Sequence, residues 1–363
     1  MNNRKLVLEN GKVFEGKGFG SLTEVVCELT FNTAVVGYQE MISDLANYNK
    51  IVCMTYPLIG NYGLTDEDYE SKHFGVKGLV VKEYNGIPSN FRYTRTLGDV
   101  MEEYSIAGIS CIDTRNLMKI IQTEGVQKAL ICDIDKPYEE CMDLINNYKE
   151  EDMLAEYVSS KKIWYSRTYN PKYNVAVIDL GTKTSFIKEL NKIGCNVIVF
   201  PYNVTEEEIL KYKPDGLFVS SGPGNPNAYN DVANLVKSFI GKIPVFGIAL
   251  GSEIIANIYG VEINKAKCGY HGCNYPVKNV ITSKVEITSQ NVSYTFKKES
   301  FEKTSLTITH ENIIDKEVVG FFDEEKNVLG IQFEPVALID EDSENIYKFF
   351  FNLLKKTGGN KNA

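Results

Sequence analysis

The spacing of hydrophobic and polar positions changes near residue 173. Before it, short apolar or alternating runs predominate, as in "KLVLENGKVFEG" (5–16), where Asn-Gly predicts a hairpin turn. After it, strand-like runs alternate with stretches of helical spacing, as in "NVAVIDLG", "TSFIKELNKIG" and "CNVIVFPYN". The pattern predicts an α/β protein. We expect a β-rich α+β domain, followed by a domain whose mixed, mainly parallel sheet is flanked by helices.

The length of 363 residues suits two domains. We predict an N-terminal domain over 1–150, a linker over 151–172, a second domain over 173–356 and a disordered tail over 357–363. The last apolar pattern, "NIYKFFFNLLKK", predicts an amphipathic helix.

The composition argues against a nucleic-acid-binding, membrane-spanning or secreted protein. The formal charge is −9, and no dense Lys/Arg stripe with interleaved aromatics occurs, which argues against nucleic-acid binding. No apolar run approaches the roughly 20 residues of a membrane span. The N-terminus does not resemble a secretory signal, so the eight cysteines predict reduced thiols and a cytoplasmic location. Cys268 and Cys273 flank His271 without a second ligand pair, so we predict no metal site.

Two glycine-containing loops carry the candidate chemistry. "IPVFGIALGSE" (243–253) has the strand–turn–helix layout of a nucleophile elbow, yet its apex is Ala249, whose methyl group cannot attack a substrate. "SSGPGNP" (220–226) follows another predicted strand and offers backbone N–H groups to an anion. Strand–helix alternation places both loops at the carboxyl ends of parallel strands, where ligands bind.

The paired loops resemble the class I glutamine amidotransferase domain, whose elbow usually reads Gly-Ile-Cys-Leu-Gly-His-Gln. Other segments extend the resemblance to the small subunit of carbamoyl-phosphate synthetase, from about residue 5 to 355. These segments are "FNTAVVGYQEMISD" (31–44), "TYPLIGNYG" (55–63), "SNFR" (89–92), "IDTRNL" (112–117), "GYHGCNYPV" (269–277) and "TSQN" (288–291).

In that family the small subunit hydrolyses glutamine and passes ammonia through a tunnel to a large subunit. The large subunit uses bicarbonate and ATP to make carbamoyl phosphate for arginine and pyrimidine synthesis. The resemblance therefore implies a heterodimer, with ATP and Mg expected only in the large subunit and no cofactor in this chain. The hydrolysis needs a thiolate, a histidine base, a carboxylate that orients it and donors for the oxyanion.

The family's catalytic residues are missing at the matching positions. The nucleophile position holds Ala249. "QFEPV" (332–336) stands in place of Gln-x-His-Pro-Glu, so Glu334 replaces the general base and Val336 replaces its orienting carboxylate. The His and Gln after the elbow become Ser252 and Glu253. We therefore predict no catalytic residues in this chain.

The resemblance also implies a vestigial glutamine pocket and oxyanion hole. Val292 and Ser293 replace a His-Gly pair, and Ala46 replaces a small hydroxyl residue that contacts the substrate. The expected pocket comprises Ala46, Gly222, Gly224, Leu250, Glu253, Asn291, Ser293 and Tyr294.

None of the eight cysteines lies at the elbow, and none of the three histidines lies at the base position. Losing one member of a catalytic unit removes most of the acceleration, commonly ~10⁴–10⁶-fold, so later losses cost little more. A coordinated set of losses is the pattern expected once selection on hydrolysis has relaxed. The sequence predicts that glutaminase activity is lost.

Three functions follow from this site. The first is a small subunit that supports an ammonia-using large subunit, and the second is a stand-alone pseudo-amidotransferase that binds or senses a small amine or amino acid. The third is an enzyme with Glu253 and Glu334 as a new acid/base pair. These carboxylates either attract a cation such as ammonium or reflect drift, which we favour. The Gly-Pro-Gly loop and Asn291 either still hold an amino acid or persist as fold geometry.

Overall fold

The computed structural model describes residues 3–335 and 345–358. Contacts divide the chain into two compact units, Met1–Glu151 and Asp152–Ala363, here called the N-terminal and C-terminal units. Val336 and residues 359–363 of the predicted tail lie outside the described residues.

The N-terminal unit is built around a β-barrel. Strands β1, β2, β8, β6, β4, β3 and β9 close the barrel in that order, and β5 pairs with β7. The strands are β1 (Asn3–Leu8), β2 (Val13–Gly20), β3 (Val25–Asn32), β4 (Lys50–Met54), β5 (Leu58–Ile59), β6 (Gly78–Val80), β7 (Glu83–Tyr84), β8 (Ala107–Ser110) and β9 (Gln127–Asp133). The helices are α1 (Tyr38–Ser43), α2 (Leu97–Glu103), α3 (Thr114–Glu124) and α4 (Tyr138–Asn147).

Local sequence signals explain parts of this unit. The predicted Asn-Gly hairpin is confirmed: β1 and β2 pair antiparallel, and Gly11 adopts φ +82 in the turn. Helix α3 begins where the Asp113 side chain accepts the Asn116 N–H, and Gly125 ends it.

The C-terminal unit contains one large sheet with helices. Its strands are β10 (Trp164–Ser166), β11 (Tyr173–Asp179), β12 (Cys195–Pro201), β13 (Gly216–Val219), β14 (Val245–Ile248), β15 (Ile263–Asn279), β16 (Val285–Phe296), β17 (Thr307–Asn312), β18 (Val318–Asp323), β19 (Val328–Ile331) and β20 (Phe333–Glu334). Its helices are α5 (Ala155–Val158), α6 (Thr184–Lys192), α7 (Glu206–Leu210), α8 (Asn230–Phe239), α9 (Leu250–Ile258) and α10 (Ile346–Gly358).

The sheet is mixed, as predicted, but its parallel part is confined to β12, β11, β13, β14 and β19. The long β15–β16 hairpin and the β17–β18 pair are antiparallel, so antiparallel pairing is more extensive than the sequence indicated. Parallel strands such as β11 are nearly continuous apolar runs because apolar clusters cover both faces of the sheet.

The segment predicted as a linker, 151–172, contains helix α5 and strand β10. Its strand β10 pairs antiparallel with β12, and the Ser160 N–H donates to the Asp179 carboxylate at 2.8 Å. In the part of the chain that the structure describes, no helix is both long and apolar enough to cross a membrane.

Candidate functional site

The elbow predicted from "GIALGSE" is present. Ala249 joins β14 to α9 with φ 48 and ψ −116, a region that L-residues rarely adopt. Its N–H donates to the Ile331 carbonyl at 2.8 Å, which ties the turn to β19. The residue is 8% exposed. The chain therefore keeps the strained backbone of a nucleophile elbow around a side chain that has no nucleophile.

Two glycines allow the loops around the elbow to pack closely. A Cβ on Gly251 would lie 2.2 Å from the Val219 carbonyl oxygen, and one on Gly222 would lie 2.0 Å from the Leu180 carbonyl oxygen. Both distances are far below van der Waals contact, so only glycine fits. The elbow and the Gly-Pro-Gly loop are thus packed against neighbouring backbone.

The two substituted residues after the elbow have partners inside the protein. The Ser252 hydroxyl donates to the Ala249 carbonyl at 2.7 Å. The Glu253 carboxylate, in a residue 3% exposed, accepts from the Gln332 side chain at 3.0 Å. The same Gln332 nitrogen donates to the Tyr294 carbonyl at 3.0 Å. These bonds join α9, the end of β19 and β16 into one network.

At the base position, the Glu334 carboxylate is paired with a lysine. The ammonium of Lys183 lies 2.5 Å from Glu334 Oε1, with the two side chains 9% and 29% exposed. Lys183 directly precedes α6, and its ammonium lies 5.9 Å from the centre of the Phe186 ring. Glu334 lies on β20, opposite Ser289 of β16. An ion pair therefore stands where the family's catalytic histidine is expected.

The remaining predicted pocket residues occupy four places. Asn291, Ser293 and Tyr294 lie on β16, where the Asn291 side-chain oxygen is 2.8 Å from His271 Nδ1. Gly222 and Gly224 follow β13, and buried Leu250 opens α9 within the core. Ala46 belongs to the N-terminal unit, where its N–H donates to the Asp44 carboxylate at 2.9 Å.

Comparisons with known proteins agree with the motifs. Residues 6–131 match the carbamoyl-phosphate synthase small chain, CPSase domain, and residues 176–353 match glutamine amidotransferase class-I. The carbamoyl phosphate synthase pyrimidine-specific small chain of Bacillus subtilis is 39% identical over 355 residues, covering 98% of this chain and 96% of the relative. The chain belongs to the carbamoyl-phosphate synthase small chain family.

Other members of the small-chain family match to the same extent. The carbamoyl phosphate synthase small chain of Fusobacterium nucleatum is 39% identical over 355 residues, covering 95% of this chain and 99% of the relative. That of Clostridium perfringens is 41% identical over 347 residues, covering 95% and 98%. The resemblance drawn from the motifs is confirmed over nearly the whole length.

Burial suppresses the ionisation of several cysteine thiols. Burial raises the pKa of Cys27, Cys53, Cys132 and Cys195 to about 12, which keeps these thiols protonated at neutral pH. Across residues 3–335 and 345–358, no cluster of three or more His, Cys, Asp or Glu side chains is arranged to hold a metal ion.

Sequence reasoning missed the partners of the substituted residues. Lys183 and Gln332 were not singled out, although Gln332 lies only two positions before Glu334. A buried lysine has no signature in the charge pattern, because lysines are mostly exposed and its partner lies 151 positions away. The glutamine belonged to a quoted motif, but its partner on α9 depends on how the sheet brings β19 beside that helix.

Proposed function

We propose that this chain is a carbamoyl-phosphate synthase small subunit that no longer hydrolyses glutamine and that supports an ammonia-using, ATP-dependent large subunit. The observation that carries the proposal is the occupation of two catalytic positions: Ala249 stands at the apex of the elbow, and Glu334 at the base position is paired with Lys183.

The chemistry of these groups supports lost hydrolysis. Amide cleavage requires a nucleophile to form a covalent intermediate, and the Ala249 methyl has no lone pair to supply. The base must accept the proton of that nucleophile and return it to the leaving ammonia. A carboxylate held by an ammonium 2.5 Å away is already stabilised in its charged form and has no adjacent thiol to activate.

The proposed partner is a large subunit, because the matched relatives are small chains of a synthase. The N-terminal unit offers large exposed apolar side chains: Phe91 is 94% exposed and Ile87 is 82% exposed. These side chains are candidates for the surface that contacts a large subunit. ATP and Mg²⁺ would then act in the large subunit, within the arginine or pyrimidine pathway of the cytoplasm.

A stand-alone sensor of amines gains less support. That function needs a carboxylate that is available to a free amine, whereas the Glu334 carboxylate is bound by Lys183 and Glu253 accepts from Gln332. New acid/base chemistry on these two carboxylates is disfavoured for the same reason.

Co-expression with a synthase large subunit tests the proposal. We expect the two chains to co-purify and to make carbamoyl phosphate from ammonium, bicarbonate and ATP, but not when glutamine replaces ammonium. The positive control for glutamine use is a different small chain, one that carries the family's complete catalytic residues, paired with the same large subunit. A chain that remains alone at micromolar concentrations of the large subunit would overturn the proposal.

A further inference from the structure

The Lys183–Glu334 pair joins two segments of the C-terminal unit that are far apart in sequence. Lys183 ends the loop after β11, which is held by the Asp179 carboxylate through the N–H groups of Gly181 and Thr182 at 3.0 and 2.9 Å. Glu334 is held on β20 by pairing with β16. Both charges are therefore presented from backbone that is fixed independently of the ion pair.

Burial makes this pair different from a surface salt bridge. The Lys183 side chain is only 9% exposed, so its ammonium has lost most of its water. Such a charge is stable in a protein only when a partner of opposite sign and further polar contacts replace the water. Glu334 supplies the opposite charge, and the Phe186 ring adds a cation–π contact at 5.9 Å. Exposed pairs of the same chain have no comparable constraint.

The geometry resembles that of a bound amine. An ammonium on an alkyl chain lies against a carboxylate and an aromatic ring, and the only unusual feature is that the alkyl chain is the protein's own lysine stem. The Glu334 carboxylate thus holds an ammonium ligand that is covalently attached to the loop after β11.

We propose that Lys183 is a tethered ammonium ligand that occupies the carboxylate of Glu334, closes this part of the vestigial pocket to free amines and locks β20 onto the loop after β11. Shortening the lysine side chain leaves a cavity and a carboxylate that a small primary alkylammonium ion fills. The inference concerns binding within the isolated chain, so it stands or falls separately from glutaminase activity and from the large subunit.

Chemical rescue tests the proposal on the full chain. K183A is expected to lower the temperature of thermal unfolding by about 2–6 °C, because the ion pair with the Glu334 carboxylate is lost. Propylammonium chloride is expected to restore at least half of that loss at a concentration where sodium chloride restores little. Wild type and the double variant K183A/E334A are expected to respond equally to the two salts. The matched control is K188A, which removes an exposed lysine of α6 and needs no rescue.

Two results would overturn the proposal. One is an equal response of K183A and K183A/E334A to propylammonium, which would show that the amine does not bind at Glu334. The other is additivity of the single losses in the double variant. If K183A does not fold, K183M is used instead, because it keeps the alkyl stem of the side chain. The free energies of unfolding in urea of K183M, E334Q and the double variant then give the coupling energy between the two positions. A double variant that loses less than the sum of the singles supports the pair, whereas simple addition contradicts it.

Discussion

The Ala249 N–H donates to the Ile331 carbonyl at 2.8 Å and holds the elbow against β19 although its side chain is a methyl group. The backbone of the elbow is therefore held as part of the sheet. This arrangement strains the backbone, because Ala249 is a non-glycine residue at φ 48. Strain of this kind is typical of elbows that present a reactive side chain, whereas the side chain here is a methyl group.

Replacing Ala249 with glycine removes this strain. We expect A249G to be about 2 kcal/mol more stable than A256G, which changes a buried alanine within α9. Both variants lose one buried methyl and gain the same freedom in the unfolded chain, but only A249G relieves a positive φ. Free energies of unfolding in urea measure the difference. If A249G were the less stable of the two, Ala249 would not be strained as described.

Packing around the elbow makes Gly251 irreplaceable. A Cβ at this position would lie 2.2 Å from the Val219 carbonyl, so G251A is expected to cost about 3 kcal/mol of unfolding free energy. G86A is the control, because a Cβ there would lie no closer than 3.5 Å to any atom. Equal stability of the two variants, measured by denaturant unfolding, would show that the elbow is not packed against β13.

His310 makes stability depend on pH. Burial lowers the pKa of this histidine to about 4, against 6.5 for the unperturbed group, and its ring packs 5.2 Å from that of Phe333. Between these values the unfolded chain binds a proton that the native chain excludes, so stability falls as the pH drops from 6.5 towards 4. We expect H310N to reduce the slope of unfolding free energy against pH by about 1 kcal/mol per unit between pH 5 and 6.

The exposed residue His73 supplies the control for that measurement. H73N removes an exposed histidine and should leave the slope unchanged. An unchanged slope in H310N would mean that His310 is protonated in the native protein.

Docking on the large subunit is expected to depend on the exposed apolar residues of the N-terminal unit. F91D places a charge on a side chain that is 94% exposed, so it should leave folding intact and weaken association at least tenfold. Y169D, at a fully exposed aromatic of the C-terminal unit, is the control. The measurement is the dissociation constant of each variant for an immobilised large subunit. Equal constants for F91D and Y169D would exclude Phe91 from the interface.

Much of the fold follows from local signals in the sequence. Strand–helix alternation after residue 173 predicted β11, α6 and β12, and Asn10-Gly11 predicted the first hairpin. The β15–β16 hairpin, with register shifts between Lys265 and Tyr270, was not predicted. Bulges and pairing partners are decided by contacts between distant segments, which periodicity does not encode.

Some residues of the candidate site were predicted from the sequence, and others were found only in the structure. Ala249, Glu253 and Glu334 could be found because each replaces a residue of a recognisable motif. Their partners Lys183 and Gln332 could not, because an ion pair or an amide hydrogen bond depends on tertiary packing. The partners change the interpretation, since the substituted positions are engaged within the protein.

The most direct test of the central claim is release of glutamate from glutamine by the purified chain, alone and with a large subunit. We predict no release above the rate of a buffer control, and no effect of a thiol-alkylating reagent. A249C should remain inactive as well, because the base and its orienting residue are still missing. Glutamate release by the wild-type chain that the thiol reagent abolishes would contradict the claim that this site has lost its chemistry.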